Sequence, residues 1–200
     1  MTDRLVGVLL AAGAGSRMGG PKALVRDAIT GEPWTVGAVR MLRDAGCGRV
    51  IVVLGGGADE ARALLARDSG SGVDGIDSAV EVVVAEDWAS GLAASFRAGL
   101  RAAATTTADA ALLTLVDLPG LPPAAGARVV AAAGPDLAGA AARAVYDGRP
   151  GHPVLIGRDH WTEAAAAVHG DAGAGAWLRA VGAIEVECGD LADGRDRDSR

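Results

Sequence analysis

The sequence predicts one three-layer α/β/α domain built on a mostly parallel sheet. Three observations carry that expectation. Five short apolar runs, several rich in Val and Leu, alternate with segments whose apolar residues repeat at helical spacing, as strands covered on both faces by crossover helices do. A glycine-rich loop follows the first run directly, and Asp117-Leu118-Pro119 ends the fourth. The 200 residues, half of them hydrophobic, suffice for a single core spanning 1–200, and no Ser/Pro-rich or charged linker divides them.

Strands are expected over 4–11, 49–54, 80–85, 110–116 and 140–146. Between the first two, Trp34, Ala38, Met41, Leu42 and Ala45 share one helical face and Gly46 stops the helix. A second helix is expected over 58–67, then a surface loop over 68–78 rich in Gly, Ser and Asp. In 91–103, Leu92, Phe96 and Leu100 recur every fourth residue as a buried stripe, with Gly91 and Ser95 together on a neighbouring face. Pro119 cannot continue a ladder, so the fourth strand ends there and delivers Asp117 to the sheet's carboxyl edge. A short strand over 152–156, helices over 159–169 and 173–181, and a last strand over 184–187 complete the chain. In such sheets crossovers are right-handed and ligands bind beyond the carboxyl ends of the strands. Residues 10–22 and Asp117 therefore meet on one rim.

Composition narrows the partners. A net charge of -6 and a pI near 5.0 argue against binding nucleic acid nonspecifically, which calls for a basic face. No apolar run approaches the ~20 residues that span a bilayer, so no membrane partner is expected. Cys47 and Cys188 lack a CxxC spacing and read as small apolar fillers. With no signal-peptide pattern at the start, the expected compartment is the cytoplasm. Trp34, Trp161 and Trp177 are expected in the core and Trp88 at the border of a site. His160 and His169, without metal-ligand spacing, are expected at the surface.

The loop Leu10-Ala11-Ala12-Gly13-Ala14-Gly15-Ser16-Arg17-Met18-Gly19-Gly20-Pro21-Lys22 has the chemistry of a polyphosphate cradle. Glycines let backbone amides turn onto phosphate oxygens, while Arg17 and Lys22 neutralise the charge. It is not a P-loop, because its lysine follows Gly-Gly-Pro and Ala23 stands where a hydroxyl would hold magnesium. A dinucleotide fingerprint fits poorly: Met18 occupies the third glycine's place, and the second strand ends in Gly55-Gly56-Gly57 with no acid for a ribose.

The spacing L-A-A-G-x-G-x-R-M-G-x-x-K resembles the signature of nucleotidyltransferases with a glycosyltransferase-A-like (nucleotide-diphospho-sugar transferase) fold. Asp87-Trp88-Ala89-Ser90-Gly91 with Ser95, Leu115-Val116-Asp117-Leu118-Pro119, Gly151-His152-Pro153-Val154-Leu155 and Gly170-Asp171-x-Gly173-Ala174 resemble, in order, the molybdenum-cofactor (MobA/MocA-like) branch. The Ala11-Ala12 pair is similar to the cytidylyltransferase members. Residues 20–27 and 144–152 also resemble a branch assigned to NAD(P)H-dependent reduction of the pigment nicotine blue.

The resemblance implies that Arg17 stabilises the β- and γ-phosphates and Lys22 the α-phosphate, with Leu10, Ala11, Ala12, Gly13, Ala14 and Gly15 holding the nucleotide. It implies Gly55, Gly91 and Ser95 around base and ribose, His152 and Asp171 at the substrate, and Mg²⁺ on Asp117. Asp196-Arg197-Asp198-Ser199 resembles a terminal D-x-D-T-P pattern, with Ser199 for threonine and Arg200 where proline would stand, making Asp198 the candidate second metal ligand. Two departures stand out: Gly175 where the family's G-D-x-G-A-R motif carries arginine, and Ala85-Glu86 in place of an asparagine before Asp87. Three readings follow. One is an Mg²⁺-dependent nucleotidyltransferase moving a nucleoside monophosphate from an NTP, CTP favoured, to a phosphorylated small molecule such as molybdopterin. The second is an NAD(P)H-dependent oxidoreductase on the same fold. The third is a noncatalytic nucleotide-binding or chaperone-like protein that hands a cofactor to an oxidoreductase; a molybdoenzyme is a further expected partner. The oligomeric state is left open.

Overall fold

The computed structural model describes residues 4–15, 19–68 and 78–197. Its elements run β1 (Leu5–Leu10), α1 (Trp34–Asp44), β2 (Arg49–Leu54), α2 (Ala58–Asp68), β3 (Val80–Val84), α3 (Leu92–Ala104), β4 (Ala110–Leu115), α4 (Pro123–Ala132), β5 (Ala141–Tyr146), β6 (Arg149–Gly157), α5 (Trp161–Ala167), α6 (Gly175–Ala180) and β7 (Ile184–Glu187). The strands form one seven-stranded sheet in the order β3-β2-β1-β4-β6-β5-β7. Every pairing is parallel except those of β6, which runs antiparallel to both β4 and β5. The expected mostly parallel α/β/α architecture is what the chain forms.

The pleat of β1 shows why its sequence is apolar throughout. Leu5 and Leu9 pack with α1, α2 and α4 on one face, while Val6, Val8 and Leu10 pack with α3, α5 and α6 on the other. Successive strand residues point to opposite faces, so a strand between two helical layers needs hydrocarbon at every position. On α3, Phe96 and Leu100 are buried as expected, whereas Leu92, at the helix start, is only half-buried. Trp34, Trp161, Trp177 and both cysteines are core residues. No described helix is long and apolar enough to cross a membrane.

Several expectations change. The sequence reading placed no element over 123–132, yet α4 lies there. Its inner face is Ala125, Gly126 and Val129, too small to register as an amphipathic repeat. The strand expected over 152–156 extends over Arg149–Gly157, because Asp147 and Gly148 (φ 52° and 73°) make a tight turn that pairs β5 with β6. The helix expected over 159–169 is a single 3₁₀ turn, Arg158–His160, followed by α5. The helix expected over 173–181 shortens to α6. His160 is half-buried rather than a surface residue: a ring nitrogen lies 3.0 Å from the Gly139 carbonyl and the ring meets Trp177 edge-on. Most of the loop expected over 68–78 lies outside the described residues.

Candidate functional site

At the carboxyl end of β1 the backbone leaves the sheet in two steps. The Ala11 amide still donates to the Val53 carbonyl at 2.9 Å, so Ala11 is buried and offers no donor to a ligand. The next amides, of Ala12, Gly13, Ala14 and Gly15, donate to no acceptor among the described residues. Consecutive unpaired N–H groups of this kind are an anion site. The loop is closed at its far side, where Gly20 donates to the Gly15 carbonyl at 3.3 Å and Lys22 to the Gly13 carbonyl at 3.4 Å. Gly15 has φ +59°, and a Cβ there would lie 2.0 Å from the Gly20 carbonyl oxygen. Only glycine closes this turn. Arg17 lies outside the described residues.

The loop roofs a cleft of about 390 Å³. Leu10, Ala12, Gly13, Ala14 and Lys22 line it from the loop side. Gly91, Ser95, Asp117 and Asp171 line it from α3, the segment after β4, and the turn before α6, and Trp88 borders it. At its floor the Lys22 Nζ donates to Asp117 Oδ2 at 2.6 Å, with both side chains under a fifth exposed. Asp117 Oδ1 is buried and has no hydrogen-bond partner among the described residues. A desolvated, half-paired carboxylate oxygen is costly unless a ligand completes it. A hard cation does so, and Mg²⁺ binds through one or two carboxylates plus phosphate oxygens and water. No cluster of three or more His, Cys, Asp or Glu suited to a metal occurs among the described residues; two carboxylates, Asp117 and Asp171, line the cleft.

The C-terminal segment returns to this point. Arg128 holds Asp190 through both guanidinium nitrogens. Gly194 lies against the Tyr146 ring, and the Arg197 amide donates to the Asp117 carbonyl at 2.9 Å. Asp198, the next residue, lies outside the described residues.

Gly55 does not line the cleft. A Cβ there would fall 2.6 Å from both the Ala12 carbonyl oxygen and Trp88 Cγ. The flat ring for which Gly55 makes room is thus the indole of Trp88, which forms the wall in its place. Gly91 (φ 115°) approaches the Gly170 carbonyl, which accepts the Ala93 amide at 2.9 Å. That contact sets Asp171 opposite the loop. Ser95, one turn further along α3, is 4% exposed.

His152 stands apart from Lys22 and Asp117, in a neighbouring cavity. Because β6 is antiparallel to β4, with Leu113 paired to Val154, the residues before Val154 run out toward the rim. The His152 Nδ1–H reaches the Leu113 carbonyl at 3.4 Å; a carbonyl can only accept, which places the proton on Nδ1. Burial lowers the His152 pKa below its ordinary value, so the ring is neutral at pH 7. One residue of this region escaped the sequence reading. Arg143 of β5 is buried and lines the same cavity, as does Gly175. Its signal was a lone charge inside the apolar run Ala141-Ala142-Arg143-Ala144-Val145.

A phosphate-type cleft at the strand tips of a mostly parallel sheet defines a nucleotide-handling α/β/α protein. Residues 7–186 match the MobA-like NTP transferase domain, and the chain belongs to that family. It is 35% identical over 202 aligned residues to nicotine blue oxidoreductase from Paenarthrobacter nicotinovorans, an alignment that covers 98% of this chain and 92% of that one. Among solved structures it resembles Rv0371c from Mycobacterium tuberculosis H37Rv, with TM-score 0.74, 29% identity and coverage of 100% and 95% of the two chains. The complex of Rv0371c with manganese matches with TM-score 0.67 and 28% identity, over 92% of this chain and 88% of that one.

Proposed function

We propose that the chain is an Mg²⁺-dependent nucleotidyltransferase that moves a nucleoside monophosphate from an NTP, CTP favoured, to a small phosphorylated acceptor of the molybdopterin type. The observation that carries the reading is the Lys22–Asp117 pair, with Asp117 Oδ1 unpartnered, beneath the free amides of residues 12–15. In the reaction an acceptor phosphate oxygen forms a bond to the α-phosphorus, the bond to the bridging oxygen breaks, and pyrophosphate leaves. Such chemistry needs alignment and charge neutralisation more than covalent help.

The amides of Ala12, Gly13, Ala14 and Gly15 would hold phosphate oxygens, with Arg17 on the β- and γ-phosphates. Lys22 would turn from Asp117 to the α-phosphate as charge grows there. Bound at Asp117, with Asp198 as second carboxylate, Mg²⁺ would neutralise phosphate charge, and the manganese complex of Rv0371c favours a divalent ion. Trp88, Gly91 and Ser95 would frame the nucleoside, and Asp171 would face the acceptor. The Ala11-Ala12 pair favours CTP. The product would pass, in the cytoplasm, to a molybdoenzyme.

A second reading is an NAD(P)H-dependent oxidoreductase, favoured by the 35% identity to nicotine blue oxidoreductase. On that reading the loop would hold the cofactor's pyrophosphate with no metal at Asp117, whose buried Oδ1 would then stay without a partner, at a cost. Thermal melts with CTP, GTP, ATP, NADH and NADPH, each with and without Mg²⁺, separate the two. Ligand at about a hundredfold excess over Kd should raise Tm by roughly 5–10 °C. A rise that needs Mg²⁺, is largest with CTP and vanishes in Asp117→Ala supports transfer. A rise with NADH or NADPH alone, independent of metal and of Asp117, replaces it with the oxidoreductase. Stabilisation by NTP with no pyrophosphate release on molybdopterin would mean binding without catalysis.

A further inference from the structure

Across Leu10, Leu92 and Leu115, which line both spaces, the nucleotide cleft adjoins a second cavity of about 180 Å³. Its walls include Phe96, Leu113, Val154 and Leu178. An apolar cavity of ~150 Å³ admits benzene, so this one has room for a single ring. Two polar side chains interrupt the hydrocarbon. Arg143 is 4% exposed, and its Nη2 pairs with the half-exposed Glu185 of β7. Its Nε is buried with no hydrogen-bond partner among the described residues. His152 is neutral with its proton on Nδ1, which leaves Nε2 as an acceptor.

A buried guanidinium donor without a partner is unfavourable unless a ligand completes it. The planar fork of arginine matches carboxylate and phosphate oxygens, and in a desolvated pocket such a charge-assisted bond is strong. We infer that this cavity is the acceptor subsite and that Arg143 sets its specificity, selecting a planar, largely apolar ring that carries an anionic group. The remainder of the acceptor extends past Leu92 and Leu115 toward Lys22. His152 Nε2 accepts from an N–H or O–H of the ring. A polyhydroxylated acceptor would bury its hydroxyls unpaired against Phe96, Leu113 and Leu178 and is disfavoured. The inference rests on the nucleotidyltransferase reading for the name acceptor, and on the cavity alone for its ligand chemistry.

Calorimetric titration of the whole chain, without nucleotide or metal, tests it with three probes: benzoate, phenyl phosphate and benzyl alcohol. The two anions should bind about tenfold or more tighter than the alcohol, the tighter of them naming the anionic group. Arg143→Met, which keeps the hydrocarbon stem, should erase that preference and leave the alcohol's affinity unchanged. Gly173→Leu should weaken all three, because a Cβ there makes only an ordinary contact, 3.5 Å from Leu92, and the rest of the side chain would take up space the ring needs. Near-UV circular dichroism reports whether each variant is folded. Should Arg143→Met not fold, Arg143→Lys and Gly173→Leu carry the test, the lysine weakening the anions through loss of the fork. Equal affinity for anion and alcohol, unchanged anion affinity in a folded Arg143 variant, or no binding of any ring overturns the inference. Since no nucleotide is present, that failure is distinct from a missing NTP-dependent Tm rise, which overturns nucleotidyl transfer and leaves the ring affinities standing.

Discussion

On the β1 side of the rim the ligand-facing groups are backbone amides of consecutive residues, Ala12 to Gly15, with Lys22 and Asp117 beneath them. On the β5–β6 side they are two side chains, the buried Arg143 and the half-buried His152, from separate strands of a hairpin, set in hydrocarbon. The first region is a local structure that, on the proposed function, would recognise a feature common to all nucleotides, their phosphates. The second is assembled from several elements and, on the inference above, would recognise whatever fills one ring-sized space. On the proposed function the shared substrate would thus be read by main chain and the particular one by side chains. The backbone half can stay fixed while the side-chain half changes.

The comparison breaks most readily at Asp117. Asp117→Ala should abolish the Mg²⁺-dependent Tm rise with CTP and lower turnover about 10²–10³-fold, and Lys22→Ala should lower turnover comparably, falling more in kcat than in nucleotide affinity. The double variant should lose less than the product of the two, because each single change strands a buried partner. Simple multiplication would show that the pair does not act as a unit.

The backbone half is next tested at Gly55. Gly55→Ala pushes a Cβ to within 2.6 Å of the Ala12 carbonyl and Trp88. It should destabilise by about 1–3 kcal/mol and weaken CTP while the affinity for anionic rings holds. A loss confined to Tm would detach Trp88 from the nucleotide.

A smaller effect belongs to the side-chain half. Burial holds the His152 pKa below its ordinary 6.5, so as pH falls through that value the unfolded chain takes up a proton that the native ring does not. Stability therefore drops as pH falls below about 6.5 and levels off once the native ring is also protonated. In His152→Gln the difference in melting free energy between pH 7.5 and 5.5 should shrink. An unchanged pH profile would mean that His152 is protonated as readily in the fold as outside it.

The smallest effect compares the halves by their thiols. Burial pushes the Cys47 thiol up to about 12, and it raises that of Cys188 as well, so neither should react with a thiol reagent in the native chain at pH 8. In mild urea Cys188, which follows the four-residue edge strand β7, should label before Cys47, which lies beneath the sheet's parallel half. The reverse order would make the nucleotide half the less stable one.

Legibility followed the same division. Strands β1, β2 and β4 were readable because a strand buried on both faces writes a nearly unbroken apolar run, the partly buried edge strand β3 because of its valines, and the loop after β1 because its chemistry lies in adjacent residues. Asp117 was placed by Pro119. The turn at Asp147-Gly148 carried a hairpin signal that turns β6 antiparallel, yet the two runs beside it were read as separate strands. Helix α4 left no amphipathic trace because its inner face offers only Val129 beside Ala125 and Gly126. Gly55 matched a motif position, but the motif could not show that Trp88 folds over it.

The sequence by itself determined the layered α/β architecture, the phosphate-type loop and an acid on the same rim, because each depends on neighbours along the chain. Tertiary structure alone decided that Lys22 and Asp117 are joined at 2.6 Å, that Trp88 rather than Gly55 walls the cleft, and that Arg143 meets His152 in a second cavity. The Lys22–Asp117 contact spans 95 residues, and all three juxtapositions depend on register and burial. No local pattern encodes them, because residue spacing fixes which face of an element a side chain occupies and only packing fixes what stands opposite.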